Sequence, residues 1–351
     1  MTAYRLYIGT YTIWPGQEKR TDGIFLAQMD ADSGRVTIQR GFDAGPNPSF
    51  LALTRDRRHL YAVNEQTQGG TSAFAVDAAS GALTRLNSQP VKGADPCYLT
   101  VDPTGKWLLV ACYSSGNLVT LPIQAGGALG ALVEHIQHVG KGPVANRQEK
   151  AHAHSVRFDP SQRFALAADL GMDRVWVYRL DAQSGKMSAN TPPGMDGKPG
   201  AGPRHLEFHP NGKFLYISNE LDSSVTACTW DAQSGQIASF QALSTLPQGF
   251  SGENLVADIH ITPSGEYLYV SNRGHNSLAA YKVDAQTGAL TALGATSCGG
   301  NFPRNFAIDP AGKFLLCANQ YSGDLVTFKL GADGSLTPTG DKLALASPVC
   351  V

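Results

Sequence analysis

The chain has 351 residues, of which 42% are hydrophobic and 16% are charged, and its formal net charge is −1 at neutral pH. This composition is typical of a globular protein and argues against a disordered chain. The basic residues are scattered, so neither nucleic acid nor an anionic membrane surface is expected as a partner. No apolar run approaches the roughly 18 residues that a membrane-spanning helix needs, and we expect no membrane contact.

The N-terminal segment starts with a strand-like pattern, Arg5-Leu-Tyr-Ile-Gly-Thr, rather than with the apolar core of a signal peptide. We therefore expect a cytoplasmic protein. The six cysteines include no Cys-x-x-Cys pair and are interpreted as buried thiols. A hairpin around Asp102 would place Cys97 and Cys112 nearly opposite each other, so a disulfide between them is the alternative.

A turn motif of the type Asp-Pro-x-Gly, followed by an apolar run, recurs along the chain. Proline after aspartate and glycine two residues later favour a type I turn between two strands. The copies, some of them degenerate, start at Arg55, Asp102, Asp159, His209, Thr262 and Asp309.

A second motif, Asp-Ala-x-Ser-Gly, lies after a further β-branched apolar run and indicates a second hairpin in each repeat. Its copies start at Asp30, Asp77, Asp181, Asp231 and Asp284, with degenerate versions at Gln124 and Gly331. These seven copies are about 50 residues apart and include no helical pattern. Two hairpins per repeat predict an all-β fold, a seven-bladed β-propeller with four-stranded blades.

The two ends of the chain predict how the ring closes. The N-terminus starts directly at a second strand, and the C-terminal Ser347-Pro-Val-Cys-Val resembles a first strand. One blade is therefore expected to combine N- and C-terminal strands, which pairs edges that would otherwise be free. We predict a single domain over residues 1–351 and, because a closed ring leaves few free edges, a monomer.

Charged residues gather where first strands begin and second strands end, two places that a hairpin brings together at one mouth of the central channel. First strands begin with His152-Ala-His154, Pro203-Arg204-His205, Asp258-Ile-His260 and Pro303-Arg304-Asn305. Second strands end with Asn64-Glu65, Asn219-Glu220, Asn272-Arg273 and Asn319-Gln320. Packing alone would favour small or apolar residues, so this rim predicts an anion-binding site. The connections 140–151, 188–202 and 248–256 are expected to wall the pocket.

Structural roles compete with functional ones at several of these positions. His154 would also suit a backbone hydrogen bond at a strand start, and the pair His152 and His154 would suit a metal ion, although no third ligand is evident. Glu220 would also suit a purely structural ion pair with Arg204, since Glu65 holds the equivalent place in another blade. The recurring asparagines are interpreted as partners in strand-end hydrogen bonds.

Three segments of the chain resemble the bacterial propeller-type 6-phosphogluconolactonases, and the similarity extends over essentially the whole sequence. The segments are Ala201-Gly-Pro-Arg-His-Leu-Glu-Phe-His-Pro-Asn-Gly-Lys, Ser218-Asn-Glu-Leu-Asp-Ser-Ser-Val and Ala257-Asp-Ile-His-Ile-Thr-Pro-Ser-Gly. That family is similar in turn to the fungal carboxy-muconate lactonizing enzyme, a cofactor-free propeller. The resemblance implies hydrolysis of an anionic sugar lactone, 6-phosphogluconolactone of the pentose phosphate pathway, without a metal or cofactor. It assigns catalysis to His154, Arg204, Glu220 and Arg273.

Lactone hydrolysis needs an activated water, a stabilised oxyanion and a proton for the leaving alkoxide. Either Glu220 or His154 is expected to be the general base, with the other available as the acid. Arg204 is expected to face the developing oxyanion.

The anionic end of the substrate is expected to lie against Arg273, helped by Arg304 or by a lysine of residues 141–150. The predicted substrate-binding set is Arg304, His152, His205 and His260. Three other functions stay open at this point: cycloisomerisation of a muconate-type diacid, metal-dependent hydrolysis of an unphosphorylated sugar lactone, and a non-catalytic platform for protein binding.

Overall fold

A computed structural model describes residues 3–14 and 18–351 of the chain. The described residues form 28 strands in seven four-stranded antiparallel sheets, numbered here as blades 1 to 7. Blade 1 contains, from the channel outward, β28 (Pro348–Cys350), β1 (Ala3–Thr10), β2 (Asp22–Asp30) and β3 (Val36–Asp43). Blade 2 contains β4 (Leu51–Leu53), β5 (His59–Asn64), β6 (Gly70–Val76) and β7 (Leu83–Pro90). Blade 3 contains β8 (Pro96–Val101), β9 (Trp107–Cys112), β10 (Asn117–Pro122) and β11 (Glu134–Gln137).

The remaining four blades repeat the same order. Blade 4 contains β12 (Ala153–Phe158), β13 (Ala165–Asp169), β14 (Arg174–Leu180) and β15 (Met187–Asp196), with a 3-10 turn at Leu170–Met172. Blade 5 contains β16 (Pro203–Phe208), β17 (Phe214–Asn219), β18 (Ser224–Asp231) and β19 (Gln236–Ser244). Blade 6 contains β20 (Leu255–Ile261), β21 (Tyr267–Arg273), β22 (Ser277–Val283) and β23 (Leu290–Ser297). Blade 7 contains β24 (Pro303–Ile308), β25 (Phe314–Asn319), β26 (Asp324–Leu330) and β27 (Leu336–Ala344).

Blade 1 joins the two ends of the chain. The C-terminal β28 pairs antiparallel with the N-terminal β1, with Cys350 opposite Gly9. The predicted seven-bladed propeller and its mode of closure are therefore confirmed. No helix within residues 3–14 and 18–351 is long and apolar enough to cross a membrane.

Both turn motifs are stabilised by their leading aspartate. In blade 3, Asp102 Oδ1 accepts a hydrogen bond from the backbone N of Trp107 at 2.7 Å, and Gly105 has a φ of +72°, a conformation that favours glycine. In blade 1, Asp30 Oδ1 accepts from the backbone N of Ser33 at 2.7 Å. These bonds join residues close in sequence, which is why the sequence alone predicts the hairpins.

The apolar cores lie between neighbouring blades. Tyr216 of blade 5 packs in one cluster with Val256 and Val270 of blade 6, and Ile8 of blade 1 packs with Leu316 of blade 7. Fully burying an aliphatic side chain contributes about 1.5–3 kcal/mol. Each blade therefore depends on both neighbours, and the last interface completes the ring.

The channel-lining strands of blades 3 to 7 contain a register shift near their start. In blade 5, Pro203 pairs with Asn219 whereas His205 pairs with Ser218, so Arg204 is the extra residue. Such a β-bulge changes the direction of the side chains that follow it. Two consecutive residues of one strand can then both reach the channel.

The connections between strands and the cysteines agree only in part with the predictions from the sequence. Residues 140–151 form a loop, as predicted, and so do residues 248–254 of the connection predicted at 248–256, whose last two residues belong to β20. The connection predicted at 188–202 is wrong for most of its length, because Met187–Asp196 pairs with β14 as the outer strand of blade 4. All six cysteines are free and buried, so the buried thiols are confirmed and the Cys97–Cys112 disulfide is wrong.

Candidate active site

Equivalent positions of the blades form four rings around the channel. The upper ring lies at the ends of the second strands and consists of Tyr11, Glu65, Tyr113, Leu170, Glu220, Arg273 and Gln320. The backbone N of Glu220 donates to Gly202 O at 2.7 Å, and the same bond joins Glu65 to Asn47 and Gln320 to Phe302. This shared bond establishes that the positions correspond.

The other three rings follow one another down the first strands. The rim ring consists of Ser49, Cys97, His154, Arg204, Ala257, Arg304 and Val349. The middle ring consists of Phe50, Tyr98, Ser155, His205, Asp258, Asn305 and Cys350. The lower ring, from blades 2 to 7, consists of Ala52, Thr100, Arg157, Glu207, His260 and Ala307.

Glu220 lies among three arginines. Its Oε2 accepts from Arg204 Nε at 2.9 Å and is 2.7 Å from Arg273 Nη2, while its Oε1 bonds to Arg147. Burial by itself would raise the pKa of Glu220, but Arg273, Arg204 and Arg147 outweigh burial and lower that pKa to about 2. Glu220 is therefore a carboxylate near neutral pH.

Arg147 reaches the site from the loop of residues 140–151. It bonds to Glu220 and also donates to Tyr113 Oη at 3.2 Å. From the sequence, Arg304 or a lysine of residues 141–150 was predicted to assist Arg273, whereas the loop residue that contacts Glu220 is an arginine. Arg147 belongs to neither a repeat motif nor a predicted strand. The only sequence signal for it was the length of the connection in which it lies.

His154 is buried beneath the arginines. Its Nδ1 is 3.8 Å from Cys97 Sγ, and its ring meets that of Tyr113 edge-on at 5.4 Å. Burial, together with the positive charges of Arg204 and its neighbours, lowers the pKa of His154 well below the usual value. The imidazole is therefore neutral near pH 7 and is able to accept a proton.

Arg304 forms the other side of the rim. Its guanidinium lies over the ring of Tyr11 at 5.4 Å, and its Nη2 is 3.9 Å from Glu65 Oε1. Glu65 also accepts from Tyr11 Oη at 2.8 Å. The two equivalent glutamates thus differ, since Glu220 is in direct contact with three arginines and Glu65 is only loosely paired with one.

Two side chains of the upper ring retain unused polar atoms. Within the described residues, Arg273 Nε and both polar atoms of the Gln320 side chain are buried without a hydrogen-bond partner. Buried polar groups are normally hydrogen-bonded, so these atoms are available to pair with a polar ligand. Gln320 was named in the sequence only as a strand end, and we add it to the candidate site.

His152 and His205, two of the predicted substrate-binding residues, lie at different depths of the site. His152 stacks on Tyr113 at 4.6 Å and its Nε2 is 3.2 Å from Glu149, so it belongs to the wall of the pocket. His205 lies below Arg204, with both ring nitrogens in contact with protein groups. Among the described residues, no group of three or more His, Cys, Asp or Glu is arranged to hold a metal ion.

The placement of His260 at the rim is wrong. β20 begins at Leu255, so His260 pairs with Tyr269 near the far end of its strand. There it contacts Asp258 at 3.1 Å and Glu207 at 3.4 Å and lines a cavity at the opposite mouth of the channel. Its strand register, which the sequence did not reveal, separates it from the arginines.

Rings of the middle ring of residues pack against one another below the rim and form a floor. Phe50 and Tyr98 of the middle ring stack at 4.0 Å, and His205 meets Tyr98 edge-on at 5.2 Å. A cavity of ≈ 10 Å³ lies between this floor and Arg304, which is about the space of one water molecule.

Comparisons with known proteins agree with this architecture. The sequence model of the family described as "Lactonase, 7-bladed beta-propeller" matches residues 5–351. The chain belongs to this lactonase family. As a member it is an enzyme of the carboxylic-ester hydrolase class.

Named relatives of this lactonase cover most of its length. It is 35% identical over 295 residues to the 6-phosphogluconolactonase of Bacillus subtilis, covering 83% of this chain and 80% of that protein. It is 34% identical to the 6-phosphogluconolactonase of Formosa agariphila, with 82% of each chain covered. The structure of the periplasmic gluconolactonase of Pseudomonas aeruginosa superposes with a TM-score of 0.92 at 32% identity, covering 99% of this lactonase and 98% of that chain.

Proposed function

We propose that this lactonase hydrolyses 6-phosphogluconolactone to 6-phosphogluconate, a step of the pentose phosphate pathway. The observation that carries the proposal is the charge at the rim. Four arginines, Arg147, Arg204, Arg273 and Arg304, surround two carboxylates, Glu65 and Glu220, which leaves two positive charges in excess. A phosphate carries nearly two negative charges near pH 7.

The chemistry follows from which groups are able to change protonation. Both carboxylate oxygens of Glu220 are in contact with arginines, so we assign proton transfer to the neutral His154. His154 removes a proton from the attacking water while the C–O bond forms at the lactone carbonyl. When the ring C–O bond breaks, the imidazolium returns that proton to the leaving alkoxide, and the product is an open-chain carboxylic acid that ionises in solution.

The arginines and Glu220 have distinct roles in this mechanism. Arg204 donates to the oxyanion of the tetrahedral intermediate, a contribution worth roughly 3 kcal/mol for a preorganised donor. Glu220 holds Arg204 and Arg273 in place. Bound phosphate would offset the positive charge that lowers the pKa of His154, which would make the imidazole a stronger base once the substrate is present.

A comparison of two substrates tests the proposal. We expect kcat/KM to be at least tenfold higher for 6-phosphogluconolactone than for unphosphorylated gluconolactone. In the variant Arg304→Met, kcat/KM for the phosphorylated lactone should fall about tenfold while the other substrate is little affected, because one charged hydrogen bond is worth about 1.5–3 kcal/mol. Equal rates on both lactones would overturn the phosphate assignment.

The unphosphorylated lactone is the second candidate substrate. The relative from Pseudomonas aeruginosa named a periplasmic gluconolactonase covers nearly the whole chain. A preference for unphosphorylated gluconolactone in the same assay would favour this candidate. The cytoplasmic location and the monomeric state stay predictions of the sequence.

A further inference from the structure

We infer that His205 and Asp258 are positioning residues that hold the guanidinium of Arg204 in its catalytic orientation. The inference rests on the proposed role of Arg204 in lactone hydrolysis. It concerns a hydrogen-bonded chain, Asp258–His205–Arg204, that runs from the middle ring of blade 6 through blade 5 to the rim.

The chain of contacts defines the tautomer of His205. Arg204 Nη1 lies 3.2 Å from His205 Nε2, and His205 Nδ1 lies 2.7 Å from Asp258 Oδ1. A guanidinium has only donors, so Nε2 must be the acceptor. The proton of the neutral imidazole is then on Nδ1, where it is donated to Asp258.

Arg204 is thereby held from several sides. Its Nε donates to Glu220 at 2.9 Å, and its Nη1 donates to Ala257 O at 2.8 Å as well as to His205. The partners in these bonds belong to blades 5 and 6. Removing the acceptor on His205 would take away one of the two acceptors that Nη1 contacts.

Asp258 is itself held rigidly. It accepts from the backbone N of Ile259 at 3.0 Å and of Phe306 at 3.3 Å, and it bonds to the side chains of Asn305 and His260. These partners come from blades 6 and 7. The orientation of Arg204 is therefore tied to the arrangement of three consecutive blades.

The corresponding positions of other blades show that packing does not require a histidine here. Phe50 and Tyr98 occupy the same place in the middle ring of blades 2 and 3 and stack on each other. Ser155 stands there in blade 4. His205 instead provides an acceptor for Arg204 and a donor for Asp258.

Two substitutions separate the contacts of His205. His205→Asn keeps a donor close to the Nδ1 position but removes the acceptor for Arg204, whereas His205→Gln places an acceptor close to Nε2. We expect His205→Asn to lower kcat about 10- to 100-fold with KM changed less than threefold, since a small misplacement of a catalytic group costs up to about 10²-fold. His205→Gln should retain more activity than His205→Asn.

The decisive measurement is a double-mutant cycle with Arg204→Lys, assayed with 6-phosphogluconolactone and with gluconolactone. If His205 acts through Arg204, His205→Asn lowers kcat at least tenfold in the wild-type protein and less than threefold in the Arg204→Lys protein. An equal loss in both proteins would overturn the inference. Full activity of Arg204→Lys would instead overturn the proposed role of Arg204.

His138 offers a matched control. Its Nδ1 is 2.6 Å from Asp169 and its Nε2 is 2.9 Å from Tyr178 Oη, so it is also a buried histidine between a carboxylate and a third polar group. His138→Asn should lower the stability to urea by an amount similar to His205→Asn while leaving kcat within twofold. If His138→Asn lowered kcat as strongly as His205→Asn, a loss of rigidity would explain both and the inference would fail.

Discussion

Arg204 and Glu220 form an ion pair, with 2.9 Å between Nε and Oε2, in which neither side chain is more than 4% exposed. The two residues lie in adjacent rings of blade 5, Arg204 on the rim ring and Glu220 on the upper ring. Removing one partner of a buried pair leaves an uncompensated charge and costs about 3–5 kcal/mol. The pair therefore links the stability of the blade to the geometry of the proposed oxyanion site.

Neutralising Glu220 should impair both stability and activity. In Glu220→Gln, three arginines lose their carboxylate, so we expect a lower free energy of unfolding and a loss in kcat of at least 10²-fold. Urea unfolding and steady-state kinetics measure the two effects. Glu207→Gln is the control, since Glu207 is a buried, arginine-paired carboxylate at the far end of the same channel, and its kcat should stay within twofold. Unchanged kcat in Glu220→Gln would contradict the proposed anchoring role.

Arg147→Ala should affect substrate binding more than stability. Its side chain is 29% exposed, and partly exposed ion pairs contribute little to folding. Because its charge lies over the pocket, we expect KM to rise about tenfold and the free energy of unfolding to change by less than about 1 kcal/mol. Lys186→Ala, which removes an exposed positive charge from the connection between β14 and β15, should leave KM within twofold. Similar KM values for Arg147→Ala and the wild-type protein would show that Arg147 does not contact the substrate.

The pH dependence of kcat/KM should identify the base. The pKa of His154 lies well below 6.5 in the free enzyme because of burial and the nearby arginines. The neutral, active form therefore persists as the pH falls through 6.5, and kcat/KM should decline only at lower pH. His154→Gln should remove this decline and reduce kcat by about 10²–10⁴-fold. A decline centred at pH 6.5 or above would argue against His154.

His260 should make the fold less stable at alkaline pH. Burial would lower its pKa, but Asp258 and Glu207 outweigh burial and raise the pKa from 6.5 to about 10. A raised pKa stabilises the fold fully below pH 6.5, and the contribution is lost as the pH rises towards 10. We expect the urea midpoint of the wild-type protein to fall between pH 6.5 and 10 more steeply than that of His260→Gln. Parallel pH profiles would contradict the contribution of His260.

Short-range patterns accounted for the blades. Asp102 and Asp30 bond to backbone groups within five residues of themselves, so each hairpin is encoded locally, and counting the hairpins is enough to predict seven blades. The rim was predictable for the same reason, because a hairpin brings the start of one strand beside the end of the next.

Positions that depend on register or on loops were not predictable. His260 was assigned to the rim because the start of β20 was expected three residues too late along the chain. Arg204 and His205 are consecutive residues, and both reach the channel because of the bulge in β16. Neither the start of β20 nor the bulge at Arg204 is indicated by the types or the spacing of the residues.

The amino-acid sequence by itself determined the number of blades, the closure of the ring through β1 and β28, and the mouth at which Arg204, Glu220 and Arg273 meet. Local turn chemistry and repeat spacing are sufficient for these properties. Only the tertiary structure showed that Arg147 bonds to Glu220 and that His205 joins Arg204 to Asp258. Those contacts join residues 73 and 53 positions apart, and such pairs meet only after the ring of blades has closed.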